Sequence, residues 1–348
     1  MTDYLKLKSI IEQDLEDAET NQEELVDKAF RSYTHLYEHP TDKVCLFFHG
    51  FTAGPYQFEP LGQTLHKAGY NILVPRLPGH GIAGDWTPRN PPPLTNDPHV
   101  YLKFALHWLG VAQKMGNQVV LGGLSGGATL AAWLALEKAD EINRTLLFAP
   151  YFSASNKVID LFVEHIDTYF QWENLLGPAY PGFEIEALRA ILRIADYNFK
   201  RIKKGPVAPF FIISSESDRA VDNFDHQHFF ERGLKHQPKC WYHRFDRVLD
   251  IPHTMMTEAE GNRYINLLNV MAKAYIESDL TWEAVEEIAY RMTKGRTFNA
   301  VVTELGWEAR VSPDMPAMIT LVDKWSIAAK RQMSLQRGRR GRRLKYDR

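Results

Sequence analysis

The sequence predicts an α/β fold in which helices flank a mostly parallel central sheet. From Lys43 onward, short β-branched or aromatic runs alternate with amphipathic stretches, which is the pattern of successive βαβ units. The apolar runs are continuous, as is typical of strands that helices cover on both faces. With 348 residues, 45% of them hydrophobic, the chain is long enough for one large α/β core with additions.

Short apolar runs predict the strands, and longer amphipathic runs predict helices between them. The predicted strands are residues 44–48, 71–74, 118–121, 145–148, 210–214 and 240–245. Apolar residues at helical spacing predict helices over residues 100–115 and 127–139. Between Pro150 and Gly205 the alternation stops, and we interpret residues 151–205 as a helical cap inserted over the sheet.

The two ends of the chain differ in composition from its middle. Residues 1–40 are rich in Asp and Glu, and we expect them to form a helical extension before the α/β domain, residues 41–278. Residues 279–331 are expected to form a C-terminal helical extension, with helices over 282–292, 297–305 and 315–331. The last segment, residues 332–348, is a basic tail that we predict to be disordered.

Composition indicates the cellular compartment of the protein but not its partners. The net charge of -2 indicates no partner class, and Cys45 and Cys240 lie in apolar runs, which is not the pattern of a disulfide framework. The N-terminus lacks a signal-peptide pattern, so a cytoplasmic location is expected. The uncharged run 119–136 has glycines packed around a serine, and a buried strand, turn and helix explain it better than a transmembrane segment.

The strongest motif is GLSGG at residues 123–127, which places Ser125 between an apolar strand and a helix. A G-x-S-x-G nucleophile elbow requires this context. Glycines on either side let strand and helix approach while the serine holds a strained backbone conformation. The start of the helix also brings N–H groups and a positive dipole end to the place where an oxyanion would form. Ser125 is therefore the predicted nucleophile, with an ordinary Gly-rich turn as the alternative.

A serine nucleophile of this kind is followed along the chain by its acid and then by its base. Asp218 and His253 occur in that order, each in a loop after a predicted strand, where an open α/β sheet places its site. The predicted oxyanion donors are the backbone amides of Phe51 and Gly126. Phe51 lies in the loop after an early strand, and Gly126 follows the nucleophile.

Neighbouring residues of the same types offer alternatives. Asp222 and Asp225 could supply the acid, because a turn after a strand favours Asp for local hydrogen bonding. His243 could supply the base, although its position inside a predicted strand favours sheet packing. Asp225, His226 and His228 have no metal-ligand spacing, so we predict neither a metal nor a cofactor.

The segment HGFTAGPYQFEPLGQTLHKAGYNILVPRLPGHG, followed by GLSGGA, resembles the bacterial carboxylesterases and monoacylglycerol lipases of the α/β-hydrolase superfamily. The resemblance covers about residues 41–276 and implies the α/β-hydrolase fold with its serine hydrolase chemistry. It implies Ser125 as nucleophile, residues 218–221 as the acid motif D-x-x-V, and His253 as base. This chain has Gly126 where family elbows often have Met.

The same resemblance assigns supporting loops. The family's HGF loop falls on His49, Gly50 and Phe51, and its PGHG turn falls on residues 78–81. It implies that His49 and His80 support loop geometry, as hydrogen-bonded structural histidines.

Aromatic residues in the predicted cap are candidates for an acyl pocket. Phe162, Phe170 and Trp172, with Tyr169 and Phe183 nearby, could line a cavity beside the serine. Aromatic residues at helical spacing also form ordinary cores, and that alternative stays open here.

These residues predict a serine hydrolase, and the resemblance implies that it cleaves carboxylic esters. The apolar character of the cap indicates a small-molecule ester with an apolar acyl group as substrate. A thioesterase or an amidase would use the same residues, because the triad leaves the leaving group open. A protein of another class could keep this fold as a non-catalytic binding or scaffold module. An intact triad speaks against that alternative.

The C-terminal region suggests a further class of partner. Residues 282–331 could form a helix-turn-helix, although they lack a clear recognition-helix pattern. The arginines within residues 337–343 could neutralise phosphates of nucleic acid or anionic lipid. Interleaved glycines and an acidic remainder favour a solvated tail instead.

Overall fold

A computed structural model of the protein describes residues 2–20, 25, 27–155, 168–172 and 176–329. The chain divides into two compact units, Met1–Asn269 and Val270–Arg348. Among the predicted features, Phe162 and the basic tail lie outside the described residues.

The first unit contains a central sheet of mostly parallel strands. Its described strands are β1 (Tyr33–His35), β2 (Lys43–Phe48), β3 (Asn71–Val74), β4 (Gln118–Leu124), β5 (Arg144–Phe148), β6 (Tyr169–Gln171), β7 (Gly182–Glu184), β8 (Phe210–Ser215) and β9 (Trp241–Phe245). A seven-stranded sheet has the order β1-β3-β2-β4-β5-β8-β9. In it β1 is antiparallel to β3, and the other neighbours pair in parallel. The predicted, mostly parallel sheet is confirmed.

Burial of apolar side chains on both faces explains why the strands appear in the sequence as unbroken apolar runs. Every residue of β3, β5 and β8 is buried, and so is every residue of β2 after Lys43. Phe47 stacks on Phe58 with the ring centroids 4.8 Å apart. Cys45 and Cys240 are buried free thiols in this core.

The helices of the first unit follow the strands with which they pack. The described helices are α1 (Thr2–Thr20), α2 (Glu59–Lys67), α3 (Pro98–Met115), α4 (Gly126–Glu137), α5 (Ile185–Arg201) and α6 (Asn223–Leu234). Aspartates begin two of them. Asp97 accepts a hydrogen bond from the His99 amide at 2.9 Å, and Asp222 accepts one from the Phe224 amide at 2.7 Å. Each aspartate satisfies a backbone donor that the first turn leaves unpaired.

The predicted strands differ from the observed ones mainly at their ends. β4 continues past residue 121 to Leu124, so that the strand leads directly into Ser125. β1 was not predicted, because its three half-buried residues form no apolar run.

The segment between β5 and β8 was expected to be helical, and its described part contains a strand pair as well. β6 and β7 are antiparallel, with Phe170 opposite Phe183. Their rings lie 5.4 Å apart, a cross-strand aromatic contact that stabilises so short a pair. The amphipathic helix α5 then buries a face that includes Ile191 and Ile194.

The described part of the second unit, residues 270–329, consists of short helices joined by tight loops. Its described helices, beginning with the one that enters it, are α7 (Ile265–Glu277), α8 (Trp282–Met292), α9 (Phe298–Leu305) and α10 (Met315–Leu321). Thr281 and Thr297 cap α8 and α9 through their hydroxyls. None of the helices in the described ranges is long and apolar enough to cross a bilayer.

The single helix predicted over residues 315–331 is wrong. α10 ends at Leu321, because Val322 is extended with ψ of 131°. Asp323 then accepts a hydrogen bond from the Ser326 amide at 2.9 Å, which begins a new helical turn. Amphipathic spacing that continues across the break conceals it in the sequence.

Candidate active site

Ser125 lies at the sharp turn between β4 and α4. Its backbone has φ of 55° and ψ of -119°, a conformation that L-residues rarely adopt. The turn is held on both sides, since the Ser125 amide donates to the Phe148 carbonyl at 2.9 Å and the Tyr151 amide donates to the Ser125 carbonyl at 3.1 Å. The serine is 8% exposed. A strained conformation that its surroundings over-determine is typical of a functional residue.

Glycines make this turn possible because backbone occupies the space of a side chain. A Cβ on Gly123 would lie 2.3 Å from the Gly127 carbonyl carbon. A Cβ on Gly127 would lie 2.2 Å from the Phe48 carbonyl oxygen. Both distances are far below van der Waals contact, so strand and helix can approach only where these residues lack side chains.

The Asp218 carboxylate and the His253 imidazole form a short hydrogen bond. Asp218 Oδ2 lies 2.7 Å from His253 Nδ1, and the Asp218 side chain is fully buried. The other oxygen, Oδ1, accepts hydrogen bonds from the amides of Ala220 at 2.8 Å and Val221 at 3.3 Å. The carboxylate therefore holds the imidazole with Nδ1 protonated and Nε2 free to accept a proton.

The environments of the two residues shift their pKa values in opposite directions. Burial alone would raise the pKa of Asp218, but the charge of His253 and the hydrogen bonds outweigh it and lower that pKa. Burial alone would lower the pKa of His253. The Asp218 carboxylate, with a smaller contribution from Glu260, outweighs burial and raises that pKa above 6.5.

The alternative acids and the alternative base take part in other contacts. Asp222 caps α6, and Asp225 accepts a hydrogen bond from the Ser153 hydroxyl at 2.5 Å. His243 lies in β9 beside Phe245, with the ring centroids 4.8 Å apart. Burial lowers the pKa of His243 to about 4.

The predicted oxyanion donors lie side by side. A Cβ on Gly126 would be 3.4 Å from the Phe51 Cβ, so the loop after β2 meets the first residue of α4. Gly126 begins that helix, where amides have no intrahelical acceptor. The two amides together with the helix dipole can stabilise negative charge beside Ser125.

His49 fixes the loop that carries Phe51. The Leu77 amide donates to His49 Nε2 at 2.9 Å, so the ring proton is on Nδ1, which lies 2.9 Å from the Gly50 carbonyl oxygen. Burial lowers the pKa of His49 well below 6.5, in agreement with a neutral ring in this role. His80 packs against it at 5.1 Å between ring centroids.

A cavity of about 440 Å³ opens onto Ser125 and His253. Its wall is mostly apolar, and Phe170 of β6, Phe183 of β7 and Trp172, which follows β6, form part of it. The rest of the described lining includes Leu124, Tyr151, Ala154, Leu176, Ala179, Ile185 and Leu188. A cavity of this volume and character suits a small ligand with an apolar chain.

Glu260 lines the same cavity and was not among the predicted site residues. It is 1% exposed, and its carboxylate accepts hydrogen bonds from Tyr56, Gln57 and Thr257. In the sequence it stands in the polar stretch TEAEGNR, which is typical of a surface turn. No periodicity distinguishes such a glutamate from a solvated one, because its burial depends on residues about two hundred positions away.

Comparison with known proteins gives one family match and several distant structural ones. The model of the "Alpha/beta hydrolase family" matches residues 45–267. The thermostable monoacylglycerol lipase of Bacillus sp. (strain H-257) is 33% identical over 95 residues. That alignment covers 27% of this chain and 36% of the lipase.

The similar solved structures share the fold at low sequence identity. A structure from work on LipS and LipT, two metagenome-derived lipolytic enzymes, has a TM-score of 0.58 at 17% identity and covers 72% of this chain and 98% of its own. A soluble variant of the Saccharomyces cerevisiae monoglyceride lipase with a substrate analogue has a TM-score of 0.53 at 14% identity, covering 72% and 94%. The Paleococcus ferrophilus monoacylglycerol lipase has a TM-score of 0.50 at 16% identity, and the match covers 62% of this chain and 88% of the lipase.

Proposed function

Because the chain belongs to the alpha/beta hydrolase family, we propose that it is a serine hydrolase that cleaves carboxylic esters. The observation that carries the proposal is the 2.7 Å hydrogen bond between His253 and Asp218 beside the cavity that Ser125 also lines. Nucleophile, base and orienting acid in one cavity are the parts that acyl transfer from a serine requires.

In the proposed mechanism, Ser125 Oγ attacks the ester carbonyl carbon while His253 Nε2 takes its proton. Asp218 keeps the imidazole oriented and stabilises the imidazolium that forms. The amides of Phe51 and Gly126 donate to the oxyanion of the tetrahedral intermediate. The imidazolium then protonates the leaving alcohol, and a water that His253 deprotonates releases the acid and regenerates Ser125.

The proposed substrate is a small ester with an apolar acyl group. The aromatic wall formed by Phe170, Trp172 and Phe183 supports an acyl site, since it offers apolar surface next to the nucleophile. The lipolytic names of the relatives support an ester over a thioester or an amide. A substrate carrying a large polar acyl group would leave its polar atoms unpaired against this wall.

The test compares the wild type with Ser125→Ala on p-nitrophenyl esters of increasing acyl length, together with labelling by a fluorophosphonate. The wild type is expected to turn over and to be labelled, and Ser125→Ala is expected to lose about 10⁴-fold or more in kcat, with no label. The acyl length at which kcat/KM is largest measures the depth of the acyl site.

A matched control is Ser9→Ala, because Ser9 is an exposed residue of α1. It is expected to keep both activity and labelling. Full esterase activity in Ser125→Ala would exclude Ser125 as nucleophile, and a wild type with neither activity nor label would exclude the enzyme. Thioesters and anilides with the same acyl group separate an esterase from a thioesterase or an amidase.

A further inference from the structure

Glu260 connects loops that are remote in sequence. Its Oε1 accepts hydrogen bonds from Tyr56 Oη at 2.8 Å and from Gln57 Nε2 at 2.7 Å, and its Oε2 accepts one from Thr257 Oγ1 at 2.9 Å. The backbone also takes part, since the Glu260 carbonyl accepts from the Thr254 hydroxyl at 3.1 Å. Thr254 follows His253 in the chain. The carboxylate therefore ties the loop of the proposed base to the segment after the HGF loop.

Gln57 links Glu260 to the HGF loop, residues 49–51, which carries the proposed oxyanion donor Phe51. Its Nε2 donates to Glu260, and its Oε1 accepts the Gly50 amide at 2.8 Å. Because a side-chain amide is planar, fixing one end of Gln57 fixes the direction of the other. Gly50 immediately precedes Phe51, whose amide is a proposed oxyanion donor. Gln57 is 1% exposed, so water does not compete for these bonds.

The close packing around Glu260 leaves it little freedom. A Cβ on Gly177 would lie 3.0 Å from both Glu260 Cγ and Tyr56 Oη. Gly177 has φ of 82°, which favours glycine. Tyr56 Oη also lies 3.0 Å from the Pro178 carbonyl oxygen, so its single proton is shared between that carbonyl and Glu260 Oε1.

We propose that Glu260 is a positioning residue, which acts through Gln57 to hold the Gly50 and Phe51 backbone where the Phe51 amide meets the oxyanion. The inference rests on the proposed function, because it concerns the same site. A donor that is displaced by a fraction of an ångström stabilises the transition state less while substrate binding changes little. Loss of the tie therefore lowers kcat and leaves KM nearly constant.

The charge of Glu260 supplies an independent readout. Among the described residues, Asp218, Glu260 and His226 interact electrostatically with His253, and Arg219 lines the same cavity. The negative charge of Glu260 contributes to the raised pKa of His253. Glu260→Gln removes that charge, while its carbonyl can still accept from Tyr56 and Gln57 and its amide can donate to the Thr257 hydroxyl. Gln57→Met does the reverse, since it removes the hydrogen bonds that link Glu260 to Gly50 and keeps the negative charge of Glu260.

The experiment measures kcat, KM and inhibition by an alkyl trifluoromethyl ketone, whose carbonyl carbon Ser125 Oγ attacks to form a hemiketal oxyanion. Active sites are counted by fluorophosphonate titration, so that a misfolded fraction is not read as slow turnover. Gln57→Met and Glu260→Ala are each expected to lower kcat about 10-fold, to weaken the ketone in parallel and to change KM less than about twofold. Both substitutions break the same connection between Glu260 and Gly50. The double variant is therefore expected to lose no more kcat than either single variant.

The charge variant is expected to behave differently. Glu260→Gln should keep kcat within about twofold of wild type above the pKa of His253, while the acidic limb of its pH profile moves to lower pH. Gln57→Met should leave that limb in place. The control is Gln63→Met, since Gln63 donates to Glu59 at 2.7 Å in the same kind of Gln to Glu bond on the exposed side of α2.

Three results would overturn the proposal. They are wild-type kcat in Gln57→Met, a 10-fold loss in Glu260→Gln above the pKa of His253, and losses that multiply in the double variant. The first two remain decisive if Glu260→Ala does not fold. A wild type without turnover or label removes the proposed function itself, and the positioning role with it.

Discussion

Two buried carboxylates in the candidate site have opposite pKa shifts because their partners differ. Asp218 faces the imidazole of His253 and two backbone amides, and these lower its pKa despite burial. The donors to the Glu260 carboxylate in the described part of the chain, Tyr56, Gln57 and Thr257, are all neutral. Burial therefore dominates and raises its pKa, although its hydrogen bonds and the charge of His253 oppose the shift. At the residue scale, only Asp218 has the environment of a permanently ionised partner for a base.

The orienting role of Asp218 can be tested by removing its charge without changing its shape. Asp218→Asn is expected to lower kcat about 10³- to 10⁴-fold, because an amide can hold the imidazole in the wrong tautomer and cannot stabilise its cation. The measurement is kcat on the preferred ester. Asp222→Asn is the matched control, since Asn also caps a helix, and activity there should be unchanged. Comparable losses in both variants would contradict the assignment.

The raised pKa of His253 predicts where activity falls on acidification. His253 acts as a base only when its Nε2 is unprotonated, so kcat/KM decreases as pH falls through its pKa. Because that pKa is raised, the acidic limb is expected above pH 6.5. A pH profile of kcat/KM for an uncharged ester measures the limb. A limb below that value would mean that burial outweighs the carboxylates around His253.

At the scale of elements, the elbow depends on two backbones that touch. The Gly127 position is closed by the Phe48 and His49 carbonyl oxygens, at 2.2 and 2.4 Å from a hypothetical Cβ. No rotamer change relieves a contact with backbone, so β2, β4 and α4 would have to separate. Helix propensity is a smaller effect, worth about 1 kcal/mol between glycine and alanine.

Two identical substitutions in helices are therefore expected to have opposite effects. Gly127→Ala should destabilise the protein by about 3 kcal/mol or more and abolish ester turnover. Gly110→Ala, in α3, should stabilise it by about 0.5 to 1 kcal/mol, because nothing lies within 4 Å of the added methyl. Urea unfolding measures both. A Gly127→Ala protein as stable as wild type would show that the elbow relaxes easily.

Elements that follow from local chemistry could be predicted from the sequence, and those that depend on pairing could not. β2 and β4 are continuous apolar runs, and the glycines of the elbow encode a backbone contact directly. β6 and β7 are three residues each and pair at three positions, with the aromatic contact between Phe170 and Phe183 at the centre. A strand of that length has no readable period, and its aromatic residues suit a helix equally well.

At the scale of the whole molecule, the same division applies to the candidate site. Ser125, Asp218 and His253 could be proposed because their order along the chain is itself a pattern. Glu260 could not, since its partner Gln57 is 203 positions away and Glu260 itself stands in no motif. The residues that position the reacting groups are recognised only from tertiary contacts, whereas the reacting groups themselves can partly be recognised from sequence motifs.

Several buried histidines make the stability of the fold sensitive to acid. Burial lowers the pKa values of His49, His80, His226 and His243, to about 4 for His80 and His243. Between pH 6.5 and those values the unfolded chain binds protons that the folded chain does not, so stability decreases as pH falls. The raised pKa values of His253 and Glu260 act in the opposite direction, because there the folded chain binds the extra protons.

His243 offers the cleanest test, because it lies in β9 away from the cavity and its buried Nε2 has no hydrogen-bond partner among the described residues. Each histidine kept neutral contributes about 1 kcal/mol per pH unit to the slope of unfolding free energy between about pH 5 and 6. His243→Gln is expected to reduce that slope by about this amount in urea unfolding. His228→Gln, an exposed residue of α6, is the control and should leave the slope unchanged. Equal slopes in wild type and His243→Gln would mean that His243 already binds its proton in the folded protein.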